Sequence, residues 1–390
     1  MALVQTQMVP DEEARQALFP VVRRGIFLGH AGVAPLPKVA AEKIQQMAHH
    51  ASLEGQHNPV VEKEWEESRA VAAKLIGAKA NEISLIGPTA LGLNLVAHGL
   101  PWEPGDEVVY YPGCYPSNVY PWTDLARRGV KPVALKPART GHLTPELVLA
   151  AVTPKTRLVA LASCHFLTGY RVDLNAIGKE LRRAHPHVLF SVDGIQSLGA
   201  TALDVEEACI DFLSADSHKW LLGPLGAGIF YVRESRFPVL RPALLGSWNV
   251  NSPRFIAQET IAFPDHGRRY ECGALFSLGI FGMKASMEML LALGLDKIET
   301  RLLQLHDHAA GLLRAKGWEV LSDAFPEGAK SGILTFRKAG ADLAAAHASL
   351  EKAKVTASLR WDMAGEPLIR FSPHFYNTEG ELETAIAALG

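Results

Sequence analysis

One segment of the chain connects an apolar run to a lysine. Residues 211–228 read DFLSADSHKWLLGPLGAG, so that polar residues end the run and Lys219 follows among apolar neighbours. Removal from water disfavours an ammonium group, and a lysine in such surroundings loses its proton more easily. The neutral amine is the form that Schiff-base chemistry requires. Lys219 is therefore a candidate nucleophile, and the alternative is an ordinary lysine in a surface turn.

An acid follows another apolar run upstream. Residues 188–193 read VLFSVD and end in Asp193, and Gln196 comes a short turn later. A carboxylate at the end of a strand can pair with the protonated ring nitrogen that a pyridoxal cofactor requires, and Gln196 can hydrogen-bond a ring substituent. The alternative is that Asp193 caps the next helix.

Both residues lie in a region where short apolar runs alternate with helical stretches. The runs are 82–86, 107–111, 131–135, 157–162, 188–193, 211–215 and 228–232. The sequence pattern predicts helices at 89–100, 117–128 and 173–184. This alternation predicts an α/β fold with a mostly parallel sheet between layers of helices. Ligands of such sheets bind beyond the carboxyl ends of the strands, where Lys219 and Asp193 lie.

The pattern changes after about position 238. A loop-rich stretch, 241–269, precedes a predicted helical region from Leu278 to about Lys316. Short strands are predicted at 332–337, 354–359 and 367–371, with helices at 342–352 and 378–389. We expect a large cofactor-binding domain over residues 25–240. The smaller α+β domain is then formed by residues 1–24 together with 241–390.

Composition indicates a globular protein. The chain has 390 residues, 48% of them hydrophobic, with 39 basic and 41 acidic residues. A net charge of −2 argues against a nucleic-acid or membrane partner bound through a polybasic surface. The four cysteines, at positions 114, 164, 209 and 272, are dispersed, which fits a reducing compartment and predicts no metal site. Without a long apolar run at the N-terminus, a cytoplasmic location is expected.

Several segments together resemble the class V aminotransferases among the fold-type I pyridoxal-phosphate enzymes, which include cysteine desulfurases, selenocysteine lyases, isopenicillin-N epimerase and kynureninase. The resemblance runs in order over most of the chain. It rests on the segments 26–37, 85–96, 115–122, 162–171, 193–196, 216–224, 268–275 and 368–378. It implies pyridoxal 5′-phosphate as cofactor, an aldimine on Lys219, and Asp193 and Gln196 as cofactor-binding residues.

The same resemblance implies further cofactor contacts. Thr89 and Ala90 begin a helix whose first amides offer a phosphate site, although Thr89 is also an ordinary helix cap. Tyr115 matches the side chain that stacks on the cofactor ring, with a packed core aromatic as the alternative. Three residues before the lysine match phosphate ligands or the ring face, namely Asp216, Ser217 and His218.

Other matched positions concern the ring hydroxyl and the substrate. His165 is the polar candidate near the hydroxyl, with Phe166 as the adjacent alternative. His30 lies in the segment that lines the substrate pocket. Arg370, in LIRFSPHFYNT, matches the arginine that holds the substrate α-carboxylate through two parallel hydrogen bonds, with a structural arginine as the alternative.

A homodimer with active sites near its interface is also implied by the resemblance. The segment 268–275 matches the element that reaches the neighbouring subunit's phosphate. The family usually has a threonine after Gly273, whereas this chain has Ala274, which cannot donate a hydroxyl hydrogen bond. Trp248 is the candidate substitute.

The expected reaction takes place at Cα or Cβ of a small L-amino acid or derivative, by transamination or by C–S or other β-elimination. Cysteine desulfurases carry a mobile cysteine shortly before the C-terminal arginine, and residues 355–366 contain none. A persulfide-forming desulfurase is therefore disfavoured. The alternatives are an amino-acid epimerase, a kynureninase-like hydrolase and, more remotely, a non-catalytic protein that binds pyridoxal phosphate.

Overall fold

A seven-stranded sheet forms the centre of the larger part of the molecule in this computed structural model, which describes residues 11–390. The strands in chain order are β1 (Ile26–Phe27), β2 (Ile83–Ile86), β3 (Glu107–Tyr110), β4 (Lys131–Ala134), β5 (Thr156–Ala162), β6 (Leu189–Asp193), β7 (Phe212–Asp216), β8 (Gly228–Val232), β9 (Glu319–Val320), β10 (Leu334–Arg337), β11 (Val355–Thr356), β12 (Ser358–Trp361) and β13 (Pro367–Phe371). The large sheet has the order β2-β8-β7-β6-β5-β3-β4, and β8 runs antiparallel to the other six strands. The predicted mostly parallel sheet is confirmed.

Helices cover both faces of this sheet and complete the smaller part. They are α1 (Glu12–Leu18), α2 (Lys38–Glu54), α3 (Pro59–Ile76), α4 (Thr89–Gly99), α5 (Tyr120–Asp124), α6 (Pro145–Ala150), α7 (Leu174–Ala184), α8 (Ser277–Leu293), α9 (Leu295–Ala315), α10 (Leu343–Lys352) and α11 (Glu379–Ala387). Every residue of β6, β7 and β8 is buried, which explains their nearly continuous apolar sequences.

The smaller part contains an antiparallel sheet in the order β12-β13-β10-β9, with its own apolar core. β1 pairs in parallel with β11, and Gly29 bridges to Ser372. Residues 26–29 therefore pair with the smaller part, although the predicted boundary at residue 25 assigns them to the larger domain. Residues 1–10 of the predicted N-terminal arm lie outside the described residues. The division into 25–240 and 1–24 plus 241–390 stays a prediction.

Two helical predictions needed correction, and two helices were missed. The expected helix at 117–128 is broken into α5 and two flanking 3-10 turns. The expected helix from 278 to 316 is two helices, α8 and α9, which meet at Gly294 at an angle of 82°. Gly294 has a φ of 91°, a conformation that glycine adopts without steric strain. The helices α2 and α3 were not predicted.

No single helix of residues 11–390 combines the length and apolar character needed to cross a membrane. The bent pair α8 and α9 meets those criteria only when the two helices are taken together. Within the same residues, no group of three His, Cys, Asp or Glu side chains is arranged to bind a metal ion.

Candidate active site

The carboxyl ends of parallel strands bring the predicted residues together. β6 runs parallel to β5 and β7, so Asp193 at the end of β6 and Asp216 at the end of β7 lie on the same edge of the sheet. Lys219 follows β7 in a tight turn, in which the amide of Leu222 donates to the Lys219 carbonyl oxygen over 3.1 Å. Leu222 has a φ of 57°, an unusual conformation for a residue with a side chain.

Lys219 is a buried cation without an ion pair in the described chain. Its side chain is 8% exposed, and its Nζ lies 5.4 Å from the centre of the Tyr115 ring. Burial lowers the pKa of Lys219 to about 8; the charge of Asp193 opposes this shift, and those of Arg370 and Arg360 add to it. About a tenth of Lys219 is therefore a neutral amine at pH 7, far more than of an ordinary lysine.

Asp193 is a buried acid without a cationic partner within residues 11–390. Its Oδ1 accepts a hydrogen bond from the Ile195 amide over 3.1 Å, so Asp193 begins a turn. No helix starts in the described stretch between Asp193 and β7, and the alternative of a helix cap is therefore wrong. Burial raises the pKa of Asp193 to about 6, while the Ile195 amide and Lys219 act in the opposite direction. A cationic group bound beside Asp193 would relieve the cost of its buried charge.

The turn after Asp193 is fixed by Gln196. Its Nε2 donates to the Ala31 carbonyl oxygen over 3.1 Å, and its Oε1 accepts from the Trp220 indole over 3.0 Å. Gln196 therefore connects β6, the N-terminal segment and the lysine turn. Its predicted contact with a cofactor stays a prediction.

The amino terminus of α4 faces the end of β7. Thr89 Oγ1 accepts a hydrogen bond from the Asp216 amide over 2.8 Å, and Ser214 Oγ donates to the Thr89 carbonyl oxygen over 2.9 Å. Gly92 allows this approach, because a Cβ on it would lie 2.3 Å from Ser214 Oγ. The Thr89 and Ala90 amides, in the first turn of the helix, have no partner within it, and such amides attract anions.

The three residues before the lysine have distinct partners. The Asp216 carboxylate accepts from the Ser217 amide over 2.7 Å and from the Gly226 amide over 3.3 Å. It also lies 3.1 Å from His218 Nδ1. Ser217 Oγ donates to the Pro224 carbonyl oxygen over 2.9 Å. These contacts stabilise the loop around Lys219, and the predicted cofactor roles of all three residues stay predictions.

Tyr115 and Phe166 are the two aromatic side chains that border the site, beside Lys219 and Arg370 respectively. Tyr115 is 48% exposed, and its ring centre lies 5.5 Å from that of Phe166.

His165 is fully buried, and both of its ring nitrogens have protein partners. Its Nε2 lies 3.0 Å from the Gly113 carbonyl oxygen and its Nδ1 lies 3.0 Å from Thr168 Oγ1. Burial lowers the pKa of His165 to about 4, so the ring is neutral. Its predicted contact with a ring hydroxyl would require one of these bonds to break.

Arg370 extends from β13 and is 1% exposed. It donates from Nη1 to the Phe166 carbonyl oxygen, and Nη2 lies 3.5 Å from Ser358 Oγ. Its Nε is buried without a hydrogen-bond partner. Burial, followed by the charge of Arg360, lowers the pKa of Arg370 to about 9. A buried guanidinium with no acid beside it is suited to a carboxylate ligand.

His30 and Trp248 lie in other surroundings. The His30 ring is fully buried, with Nδ1 2.8 Å from the Ser372 carbonyl oxygen and Nε2 2.7 Å from the Tyr376 hydroxyl. Trp248 packs at 5.7 Å from Trp65, measured between ring centres. Both ring nitrogens of His30 are thus occupied by protein groups, and the assigned roles of His30 and Trp248 stay predictions.

Two residues near the site were missed by the sequence reasoning. The guanidinium of Arg360 acts on the pKa values of both Lys219 and Arg370. The Cys114 thiol is coupled to Asp193 and Lys219, and burial raises its pKa to about 12. Cys114 could have been found from the sequence, because it directly precedes the predicted site residue Tyr115. Arg360 could not, because its position depends on strand register.

Comparison with known proteins identifies the family to which the chain is similar. The family model described as aminotransferase class V matches residues 26–384. A probable cysteine desulfurase of Pyrococcus abyssi is 29% identical over 74% of this chain and 72% of its own length. An isopenicillin N epimerase of Streptomyces clavuligerus is 28% identical over 97% of each chain.

Solved structures share the fold. The apo structure of a cysteine desulfurase from Thermococcus onnurineus superimposes with a TM-score of 0.87 and 24% identity, over 96% of both chains. A mutant of the enzyme C-DES, with glycine covalently linked to its pyridoxal-phosphate cofactor, gives a TM-score of 0.86 and 22% identity over 96% of this chain and 98% of its own. The resemblance and the fold class predicted from the sequence are confirmed.

Proposed function

Because the chain belongs to the aminotransferase class V family, we propose that it is a pyridoxal-phosphate enzyme acting at Cα or Cβ of a small L-amino acid or derivative. The reaction is transamination or C–S or other β-elimination. The observation that carries this proposal is Lys219, a buried lysine with a pKa lowered to about 8 that lies beside the Tyr115 ring.

The residues present fit the cofactor. Asp193 is a buried carboxylate without a cationic partner in the described chain, as a protonated pyridine nitrogen requires. The first amides of α4, at Thr89 and Ala90, suit a phosphate group. Tyr115 offers an exposed ring for stacking. Bound pyridoxal phosphate supplies an electron sink for negative charge that develops at the substrate Cα.

The protein groups around this position have separate tasks. Lys219, with its lowered pKa, exchanges a proton at its Nζ near neutral pH, which suits an acid or base acting at Cα. Arg370 binds the substrate α-carboxylate and thereby fixes the direction of the Cα bonds. The low exposure of Lys219, Asp193 and Arg370 excludes water, and this strengthens the electrostatic interactions between them and a ligand.

The cysteines disfavour a persulfide mechanism. Residues 355–366, which precede Arg370, contain no cysteine. Cys114, the cysteine coupled to the site, has a pKa raised to about 12 by burial, so its nucleophilic thiolate is scarce at neutral pH. We therefore favour direct release of the product over transfer of sulfur to the protein.

Epimerisation is the second candidate, because the Streptomyces clavuligerus relative is named an isopenicillin N epimerase. Epimerisation requires a second base on the face of Cα opposite Lys219. A kynureninase-like hydrolase and a non-catalytic binding protein are the remaining alternatives.

A homodimer is also part of the proposal. Exposed apolar side chains cluster in the stretch that includes Trp248; they are Leu244, Leu245, Phe255, Ile256, Ile261 and Phe276. A second copy of the chain would cover them. All four cysteines are free, which supports a cytoplasmic location.

The test has two stages. The purified protein is first mixed with pyridoxal phosphate, and we expect a visible absorbance band that the Lys219→Ala variant lacks. The holoenzyme is then given a panel of amino acids with and without a keto-acid acceptor, and pyruvate, ammonia and sulfide are measured.

The products separate the candidates. Turnover that requires the acceptor identifies transamination, and pyruvate with ammonia in its absence identifies β-elimination. Loss of optical activity without either product identifies epimerisation. A protein that stays colourless with added cofactor would refute the proposal.

A further inference from the structure

Two arginines extend from one face of the small antiparallel sheet. Ser358 on β12 lies opposite Arg370 on β13, and Arg360 is two residues further along β12. Because side chains alternate between the faces of a strand, Ser358, Arg360 and Arg370 share a face. Burial lowers the pKa of Lys219, and the charges of both arginines lower it further.

The two guanidinium groups border the same small space. A Cβ on Gly32 would lie 3.9 Å from Nη2 of Arg370 and 4.0 Å from Nη2 of Arg360. Glycine at position 32 therefore leaves room between the two cationic groups. The Gly32 amide donates to the Gly29 carbonyl oxygen over 2.8 Å, which holds this turn in place.

No acid of the described chain neutralises these charges. The bonded partners of Arg370 are the Phe166 carbonyl oxygen and Ser358 Oγ, both uncharged. The Nε atoms of Arg360 and Arg370 are both buried without a hydrogen-bond partner. Two like charges on one sheet face repel each other, and a buried guanidinium without an anion is unfavourable. The arrangement is relieved by a ligand with two negative groups.

Building on the proposed function, we propose that Arg370 binds the substrate α-carboxylate while Arg360 binds a second carboxylate on the substrate side chain. Arg360 is then a specificity-determining residue, and the preferred substrate is an amino acid with an acidic side chain. An amide of the same shape lacks the charge that would pair with Arg360, and it leaves the guanidinium uncompensated.

The test compares acids with their amides. The holoenzyme is titrated with L-aspartate, L-asparagine, L-glutamate and L-glutamine, and Kd is read from the change in visible absorbance of the bound cofactor. We expect at least one acid to bind about tenfold or more tightly than its amide, as expected for a hydrogen bond to a charged group.

Variants then locate the source of this preference. Arg360→Gln should remove the preference for the acid and leave the Kd of L-alanine within about twofold, and Arg360→Lys should restore part of the preference. The control is Arg337→Gln, because Arg337 lies on β10 of the same sheet but pairs with Glu319 at 2.8 Å. This control should keep the full preference.

Two outcomes would overturn the inference and leave the proposed function intact. One is equal binding of acid and amide. The other is an Arg360→Gln variant that weakens L-alanine as much as L-aspartate, which would mean that both arginines hold the α-carboxylate.

A cofactor-independent measurement covers the remaining case. If no amino acid changes the absorbance, the proposed function fails. Thermal unfolding with succinate or with succinamate then tests whether Arg360 and Arg370 together bind a ligand with two negative groups. Stronger stabilisation by succinate that Arg360→Gln abolishes upholds the inference, and equal stabilisation by both compounds overturns it.

Discussion

Two buried lysines occupy contrasting surroundings in this molecule. Lys284 on α8 is 6% exposed and pairs with Glu64 at 3.0 Å as well as with Glu67. Burial disfavours its charge, but the hydrogen bonds to the two acids outweigh burial and raise its pKa. Lys219 is 8% exposed and has no such partner in the described chain, and burial lowers its pKa to about 8. Similar burial therefore gives opposite electrostatic results.

The other buried charges follow the same division. The helical interface is the region where α3 packs against α8, and it contains Arg69 and Lys284. Arg69, on α3, pairs with Glu271 at 2.6 Å, and both side chains are 4% exposed. In the candidate active site, Asp193 on β6 and Arg370 on β13 are equally buried but form no ion pair within residues 11–390. Paired charges are structural, whereas uncompensated buried charges that lie close together are typical of a ligand site. The paired charges of the helical interface thus stabilise the fold, whereas the unpaired charges form the candidate active site.

The largest expected effect comes from breaking the pair in the helical interface. Arg69→Met leaves Glu271 buried without its cation, and we expect a loss of about 3–5 kcal/mol in the free energy of unfolding, measured with urea. Arg183→Met is the control, since Arg183 is 74% exposed and should change stability by less than about 0.5 kcal/mol. A similar loss in both variants would contradict the division into two regions.

A smaller effect should separate the two lysines directly. Lys284→Met leaves the acids around it without a cation, and we expect it to cost about 1–3 kcal/mol. Lys219→Met in the cofactor-free protein removes a desolvated charge, so stability at pH 7 should stay the same or rise. Equal losses on urea unfolding would show that Lys219 is also a structural cation.

The pKa of Lys219 gives the direction of the pH dependence. Its folded value, about 8, lies below the ordinary 10.5, so the folded protein binds fewer protons than the unfolded chain between those values. The cofactor-free protein should therefore gain stability from Lys219 as pH rises through this window, and Lys219→Met should lose that gain.

Much of the fold could be predicted from the sequence because buried strands consist of continuous runs of apolar residues. The run 188–193 became β6, and the run 211–215 became β7 with a shift of one residue. The helix α2 was missed because only Ala40 and Met47 of its 17 residues are buried, which leaves a weak periodic signal. β9 has two residues, too few for a pattern.

The candidate site was partly predictable for a related reason. Asp193 ends β6 and Lys219 lies three residues after the end of β7, and the carboxyl ends of neighbouring parallel strands converge whatever the details of packing. Arg360 was not predictable, since its place beside Arg370 depends on the register between β12 and β13. The two bonds that occupy the ring of His165 come from backbone and side-chain packing that no spacing reveals.

The rate of cofactor uptake offers a finer comparison of the two lysines. Only the neutral amine reacts with the aldehyde of pyridoxal phosphate, and the pKa of Lys219 is lowered to about 8. The rate at which absorbance develops should level off near pH 9 and fall about tenfold per pH unit below the pKa. A rate that still rises tenfold between pH 8 and 9 would indicate an ordinary lysine. Lys284→Met, the matched control, should keep the profile of the unchanged protein.

The smallest expected effect concerns the charge that opposes the burial of Lys219. Asp193 is ionised above its pKa of about 6, and its negative charge favours the ammonium form of Lys219. Asp193→Asn removes that charge, so the midpoint of the uptake profile should move to lower pH by up to about one unit. Glu64→Gln, which removes a partner of Lys284 instead, should leave the midpoint unchanged. An unchanged midpoint in Asp193→Asn would mean that these two buried charges do not act on each other, and that burial alone sets the pKa of Lys219.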